Sequence, residues 1–152
     1  MGLIMKYIKK YLILWLVIGM CYAQLELIFR GETYLPMTFI GGLAGILIGM
    51  LGRKSSASKL KMWQMCLLGT LIVLDTEFIS GYICNIRLGM MLWDYSGYRY
   101  NIDGQVCAKL AAAWFFLIPF AFWVNDFICF KLFNGPAPNS LWYNYKKLLT
   151  MR

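Results

Sequence analysis

Polar residues in this chain gather in short groups, and four long apolar runs lie between them. The first runs from Tyr11 to Phe29 after Lys6, Lys9 and Lys10, interrupted only by Gln24 and Glu26. The second, Pro36 to Leu51, carries no charge and ends at Gly52-Arg53-Lys54-Ser55-Ser56, with Pro36 placed for a first helical turn. The third follows Lys59 and Lys61 and covers 62–86; the fourth covers 106–133, with Pro119 near its middle predicting a kink. Each is close to the ~20 apolar residues that a helix needs to cross a bilayer. The pattern therefore predicts an all-α, polytopic membrane protein: a four-helix transmembrane bundle over residues 1–133, followed by a cytoplasmic tail, 134–152.

Lysine and arginine set the orientation. One set of loops and ends holds Lys6, Lys9, Lys10, Arg53, Lys54, Lys59, Lys61, Lys131, Lys146, Lys147 and Arg152, eleven in all; the opposite set holds four, Arg30, Arg87, Arg99 and Lys109. The richer side is expected in the cytoplasm, giving an N-in/C-in chain in the cell membrane. The first run also has the basic start and small-x-small triplet (Cys21-Tyr22-Ala23) of a signal peptide. Apolar residues continuing through Phe29 favour a retained span, and cleavage would leave the rest of the topology unchanged.

Composition agrees with this picture. The chain is 61% hydrophobic and 14% charged, against about 45–50% and 25% in soluble domains. The net charge of +8 does not point to nucleic acid, because the basic residues cluster at the ends of apolar runs and form no stripe. The expected partners are the lipid bilayer and either further copies of the chain or a membrane partner subunit. With no histidine and five scattered cysteines lacking a Cys-x-x-Cys pair, no metal site and no cofactor is expected. Cys84 and Cys107 both fall near the predicted outer surface, so a disulfide between them stays open.

Three groups of residues could carry function. Glu26 lies sixteen residues beyond Lys10 and Glu77 sixteen beyond Lys61. At about 1.5 Å per residue both carboxylates reach roughly 24 Å from the cytoplasmic anchor, in the outer part of a ~30 Å core. Such charges should face the bundle interior and be paired or protonated. With Asp75, Arg30 and Arg87 they form a candidate polar intramembrane site, or else a clasp that fixes helix register. Asn125 and Asp126 are expected at a wetted helix terminus. Gly41, Gly45 and Gly49 form a Gly-x-x-x-Gly series, a close-packing face for a helix of the same chain, segment one or three, or of another copy. The outer loop, Gly89 to Gln105, is rich in boundary aromatics, including Trp93, Tyr95, Tyr98 and Tyr100. The tail mixes Trp142, Tyr143 and Tyr145 with lysines and is expected along the inner surface.

No catalytic motif is present. Gly49 to Ser55 has the wrong spacing for a phosphate-binding loop and no strand before it. An enzyme acting on lipid through Asp94 and Asp103 is less favoured, since loop aspartates mostly form turns. The chain is therefore not expected to be an enzyme.

The stretch Leu74 to Gly81, the block Trp93-Asp94-Tyr95-Ser96, and Asn101 to Cys107 resemble the "putative ABC-transporter permease" family of small bacterial membrane proteins. Tyr22, Glu26, Arg30-Gly31 and Gly41-Gly42 occur in the order expected for it, and the likeness covers about residues 12–130. The resemblance implies a transport component; the spacing by itself implies none. A channel-like or permease-like bundle, or an accessory that packs on a partner through its glycine-rich helix, are the two functions to separate.

Overall fold

The computed structural model describes residues 2–57 and 60–151, with the side chains of all of these except 2–4, 6, 29 and 54–57. Lys59 and Arg152, and the side chains of Lys6, Lys54 and Phe29, thus lie outside the described residues. The elements are α1 (Gly2–Arg30), α2 (Leu35–Ala57), α3 (Met62–Gly81) extended by a π-helical turn (Tyr82–Arg87), α4 (Ala108–Phe133) and α5 (Leu141–Leu149). Among the described residues four helices are long and apolar enough to cross a membrane: Tyr7–Ile28, Leu35–Arg53, Met62–Arg87 and Ala108–Phe133. The molecule is an all-α, multi-pass membrane bundle.

Local chemistry explains the ends. Gly31 takes a left-handed φ of +77°, and its N–H bonds the Leu27 carbonyl at 3.0 Å, stopping α1. Pro36 then sits in the first turn of α2, where its missing N–H costs nothing. Gln64 accepts the Lys61 N–H at 2.9 Å at the start of α3. Asn134, at φ 52°, ends α4, and Ser140 caps α5 by accepting the Tyr143 N–H at 3.2 Å. Three boundaries differ from expectation. α2 runs on to Ala57 rather than ending at Leu51. α1 begins at Gly2 rather than Tyr11, because lysines leave the bilayer without breaking a helix. α4 begins at Ala108 rather than Val106, because Val106–Cys107 pair antiparallel with Asn101–Ile102 as a two-residue hairpin.

The packing is that of a bilayer protein. Inside the bundle lie small and polar residues, among them Gly41, Gly45, Gly49, Gly69, Thr70 and Asn125, whereas Leu12, Met20, Leu71, Ile79 and Phe116 face outward. α1 packs closely on α2, and α2 and α4 each contact α3. The Lys10 ammonium lies 5.4 Å from the Phe133 ring centre and the Arg53 guanidinium 5.6 Å from that of Tyr11, so these helix ends adjoin. A core of Ile48, Met65, Cys66, Val73, Ile118 and Phe122 lies between α2, α3 and α4.

The tail does more than follow the surface. Leu148 is buried in that core, the Tyr145 hydroxyl donates to the Phe116 carbonyl at 3.0 Å, and Asn144 Nδ2 to that of Pro119 at 3.2 Å. Pro119 has no N–H to donate to the Phe115 carbonyl, and the carbonyls that anchor α5 are the next one, at Phe116, and that of Pro119 itself.

Candidate functional site

Toward the C-terminal end of α1, Tyr22, Glu26 and Arg30 recur every four residues and share a face. Glu26 is 6% exposed. Its Oε1 accepts from Arg30 Nη1 at 3.0 Å and from the Tyr22 hydroxyl at 3.4 Å, and its Oε2 from Thr33 Oγ1 at 2.7 Å. Arg30 Nη2 continues to the Leu92 carbonyl at 3.0 Å. Glu26 is therefore a satisfied clasp that ties α1 to the outer loop.

That loop is a folded lid. Asn85, on the π-helical turn, receives the Leu92 N–H on Oδ1 at 2.7 Å and donates through Nδ2 to the Trp93 carbonyl at 3.0 Å and Gln105 Oε1 at 2.9 Å. Trp93 is 4% exposed and its indole N–H bonds the Gln105 carbonyl at 3.0 Å. The wider π-helical turn keeps Asn85 on the face of Glu77 and Gly81, where a continued α-helix would have carried it further round. Gly81 lets the lid close: a Cβ there would meet Gln105 Oε1 and stand 2.9 Å from the Trp93 ring. Asp94 and Ser96 are exposed and close a turn, the Ser96 N–H and hydroxyl donating to Asp94 at 2.8 and 2.9 Å.

These bonds, the amide first and the hydroxyl second, hold the Asp94 carboxyl below its ordinary 3.8. A depressed folded-state value stabilises the turn above 3.8 and loses that contribution as pH falls through the lowered value. In Ser96→Ala the carboxyl is expected to titrate nearer 3.8, followed by carboxyl-carbon NMR; an unchanged titration would assign the shift elsewhere. Burial, ahead of every other cause, pushes the Tyr95 phenol above its ordinary range.

Glu77 lies under the lid and is 7% exposed. Trp114 of α4 donates its indole N–H to Oε1 at 3.0 Å, while Oε2 has no hydrogen-bond partner. The side chain lines a cavity of about 100 Å³ with Tyr22, Gly41, Ala44, Thr76 and Trp114. The Tyr22 and Trp114 rings are near-parallel, 6.1 Å apart at 16°. The chemistry available is thus a single acid group with one uncommitted oxygen, framed by two aromatic rings in an apolar chamber.

The model of a family described as "Putative ABC-transporter type IV" matches residues 8–149. The chain belongs to this family. The match takes in α5 as well as the four long helices. No curated protein and no solved structure matches the chain.

In this ABC-transporter type IV chain, the sequence-derived site separates into parts. Glu26, Arg30 and Glu77 lie beneath or against the lid. Asp75 is exposed on the opposite side of α3 from Glu77, and Arg87 is exposed with its guanidinium 5.4 Å from the Tyr82 ring centre. Neither reaches the cavity. Trp93 and Tyr95 are lid residues packed inward, whereas Asp94 and Ser96 form its outer turn.

The glycine series is filled within the chain: a Cβ at Gly41 would strike the Tyr22 ring, one at Gly45 Ile18, and one at Gly49 the Asn125 amide. α1, one of the two expected partners, occupies the face at Gly41 and Gly45, and α4, which was not expected, does so at Gly49. Asn125 is correspondingly not at a wetted terminus; it is 3% exposed and donates to the Gly45 carbonyl at 3.5 Å, while Asp126 is exposed. Cys84 and Cys107 carry free thiols. Trp114, Asn85 and Thr33 were not singled out by the sequence. The spacing of Asn85, eight residues after Glu77, is the one signal that could have found it.

Proposed function

We propose that this chain is a non-catalytic, multi-pass component of a transport system in the cell membrane, with both termini in the cytoplasm and the Glu77 cavity as its working site. The family and the four long apolar helices make it a membrane transport-related protein. The observation that carries the finer reading is the buried Glu77 carboxyl with one oxygen unbonded beside a cavity. A clasp residue such as Glu26 has every oxygen occupied; Glu77 does not. Intramembrane acids left in this condition mark substrate or ion paths. The eleven-to-four distribution of basic residues supports the orientation.

A cavity of about 100 Å³ is not a channel, and four helices leave little room for one. A path needs another chain. Asp75 supports this: an exposed carboxylate among the outward-facing Leu71 and Ile79 is costly against lipid, and a donor from a second copy or a partner subunit would satisfy it.

The test is flux in proteoliposomes, co-reconstituted with any subunit that co-purifies, across a panel of inorganic and organic cations. Losing a hydrogen bond to a charged group predicts at least about a tenfold fall in Glu77→Gln. Flux equal to wild type in that variant, or no flux of any solute, defeats the proposal.

A further inference from the structure

We propose that the Glu77 cavity binds the head of a small organic ammonium ion, entering from the bilayer between α1 and α4. The inference rests on the reading of Glu77 as the working site and adds the class of ligand.

Three observations combine. First, a carboxyl buried in an apolar interior is either protonated or paired with a counter-charge, so Glu77 is open to a cation that reaches it. The ion pairs formed by Arg30 go to Glu26 and Glu32, and Glu77 forms none among the described residues. The one bond it accepts, from Trp114, is neutral and leaves Oε2 open.

Second, the walls select the type of cation. Tyr22 and Trp114 present aromatic surfaces to the cavity, and such surfaces attract an ammonium group through the ring quadrupole. A metal ion would need several oxygens. Besides Glu77, the described lining offers only the neutral hydroxyls of Thr76 and Tyr22, whose protons go to the Ile72 carbonyl at 2.7 Å and to Glu26, too few oxygens for such a shell. An ammonium N–H donated to Oε2, with carbon against the remaining wall, matches what the site offers.

Third, size and access agree. A cavity of about 150 Å³ accepts benzene, so about 100 Å³ suits an ammonium head with a few attached carbons. Of the neighbouring transmembrane pairs, α1 and α4 touch least, and the cavity wall on that side is Cys21 and Leu25 from one helix and Leu117 and Phe120 from the other. Cys21 is exposed there, so this rim meets lipid. Any longer apolar tail of the ligand would lie along the same gap.

The experiment titrates the full chain in detergent with propylammonium and with its neutral isostere 1-propanol, by calorimetry. Propylammonium is expected to bind wild type about ten- to a hundredfold more tightly than 1-propanol, and Glu77→Gln is expected to erase the difference. Because Glu77→Gln could disturb folding, Ala121→Phe supplies the second arm: it fills the cavity from α4, leaves the carboxyl in place, and is expected to abolish binding of both probes. Equal affinity for the two probes in wild type would show that the site does not recognise the charge and overturn the proposal. So would propylammonium binding that survives Ala121→Phe. Binding without flux strikes only the transport reading, and flux of other solutes without amine binding strikes only the ligand class.

Discussion

Trp93→Ala is expected to lower the stability of the bundle by about 3–5 kcal/mol, the range for deleting a buried tryptophan. The indole fills the space between the lid and α3, with Met37 and Leu92 in the same core and Tyr22, Ile40 and Tyr95 packed around it. Its removal also strands the Gln105 carbonyl that accepts its N–H. The outer end of α3 would then lose its cover, and the clasp from Arg30 to the Leu92 carbonyl would lose a fixed target. Unfolding in mixed micelles measures the loss. Trp142→Ala on the exposed face of α5 is the control and should fall within about 0.5 kcal/mol of wild type. Equal effects at both positions would mean that the lid does not hold the structure together.

Gly41→Leu is expected to be nearly as damaging for the opposite reason. A Cβ at Gly41 already enters the space of the Tyr22 ring, and the rest of a leucine side chain must force α1 away from α2. Overpacking of this kind costs about 1–3 kcal/mol, occasionally more. Displacing Tyr22 would also remove its bond to Glu26 and its place in the cavity wall. The variant should therefore lose both stability and function, and size-exclusion profiles with thermal unfolding will read the first. Gly97→Ala, where an added Cβ meets open space, should do neither. A well-folded Gly41→Leu protein would show that Tyr22 yields and that close α1–α2 packing is not needed for the bundle.

Hydropathy made the four crossings legible because the bilayer imposes a length on apolar runs. The same signal gave poor helix ends, because it reads membrane thickness and not backbone hydrogen bonding. α1 continues through its lysines to Gly2, and Val106–Cys107 read as helix when they pair as strand. Depth alone brought Glu26 and Glu77 into one candidate site, but depth carries no azimuth. Two residues apart on a helix, Asp75 and Glu77 must point in nearly opposite directions, and only Glu77 faces inward. The sequence could not choose between them, because the partner that decides is Trp114, thirty-seven residues further on.

The glycine series announced a close helix contact but not whose. Ile18 and Tyr22 of the preceding helix and Asn125 of α4, far along the chain, answer that. The lid was harder still. Its aromatics suggested a headgroup belt, and at Trp93 the ring faces inward instead, because Asn85 and Gln105 supply the polar partners that water would have given. α5 read as a surface tail because its lysines and aromatics suit a headgroup boundary, and nothing in its spacing announces that Leu148 enters the core.

Every statement about Glu77 depends on four crossings that start and finish on one side of the bilayer. Reporter fusions after Arg53, after Gly97 and after Leu149 address this directly. The account predicts cytoplasmic signals at the first and third positions and an external signal at the second. Opposite locations for Arg53 and Leu149, or a cytoplasmic Gly97, would contradict it.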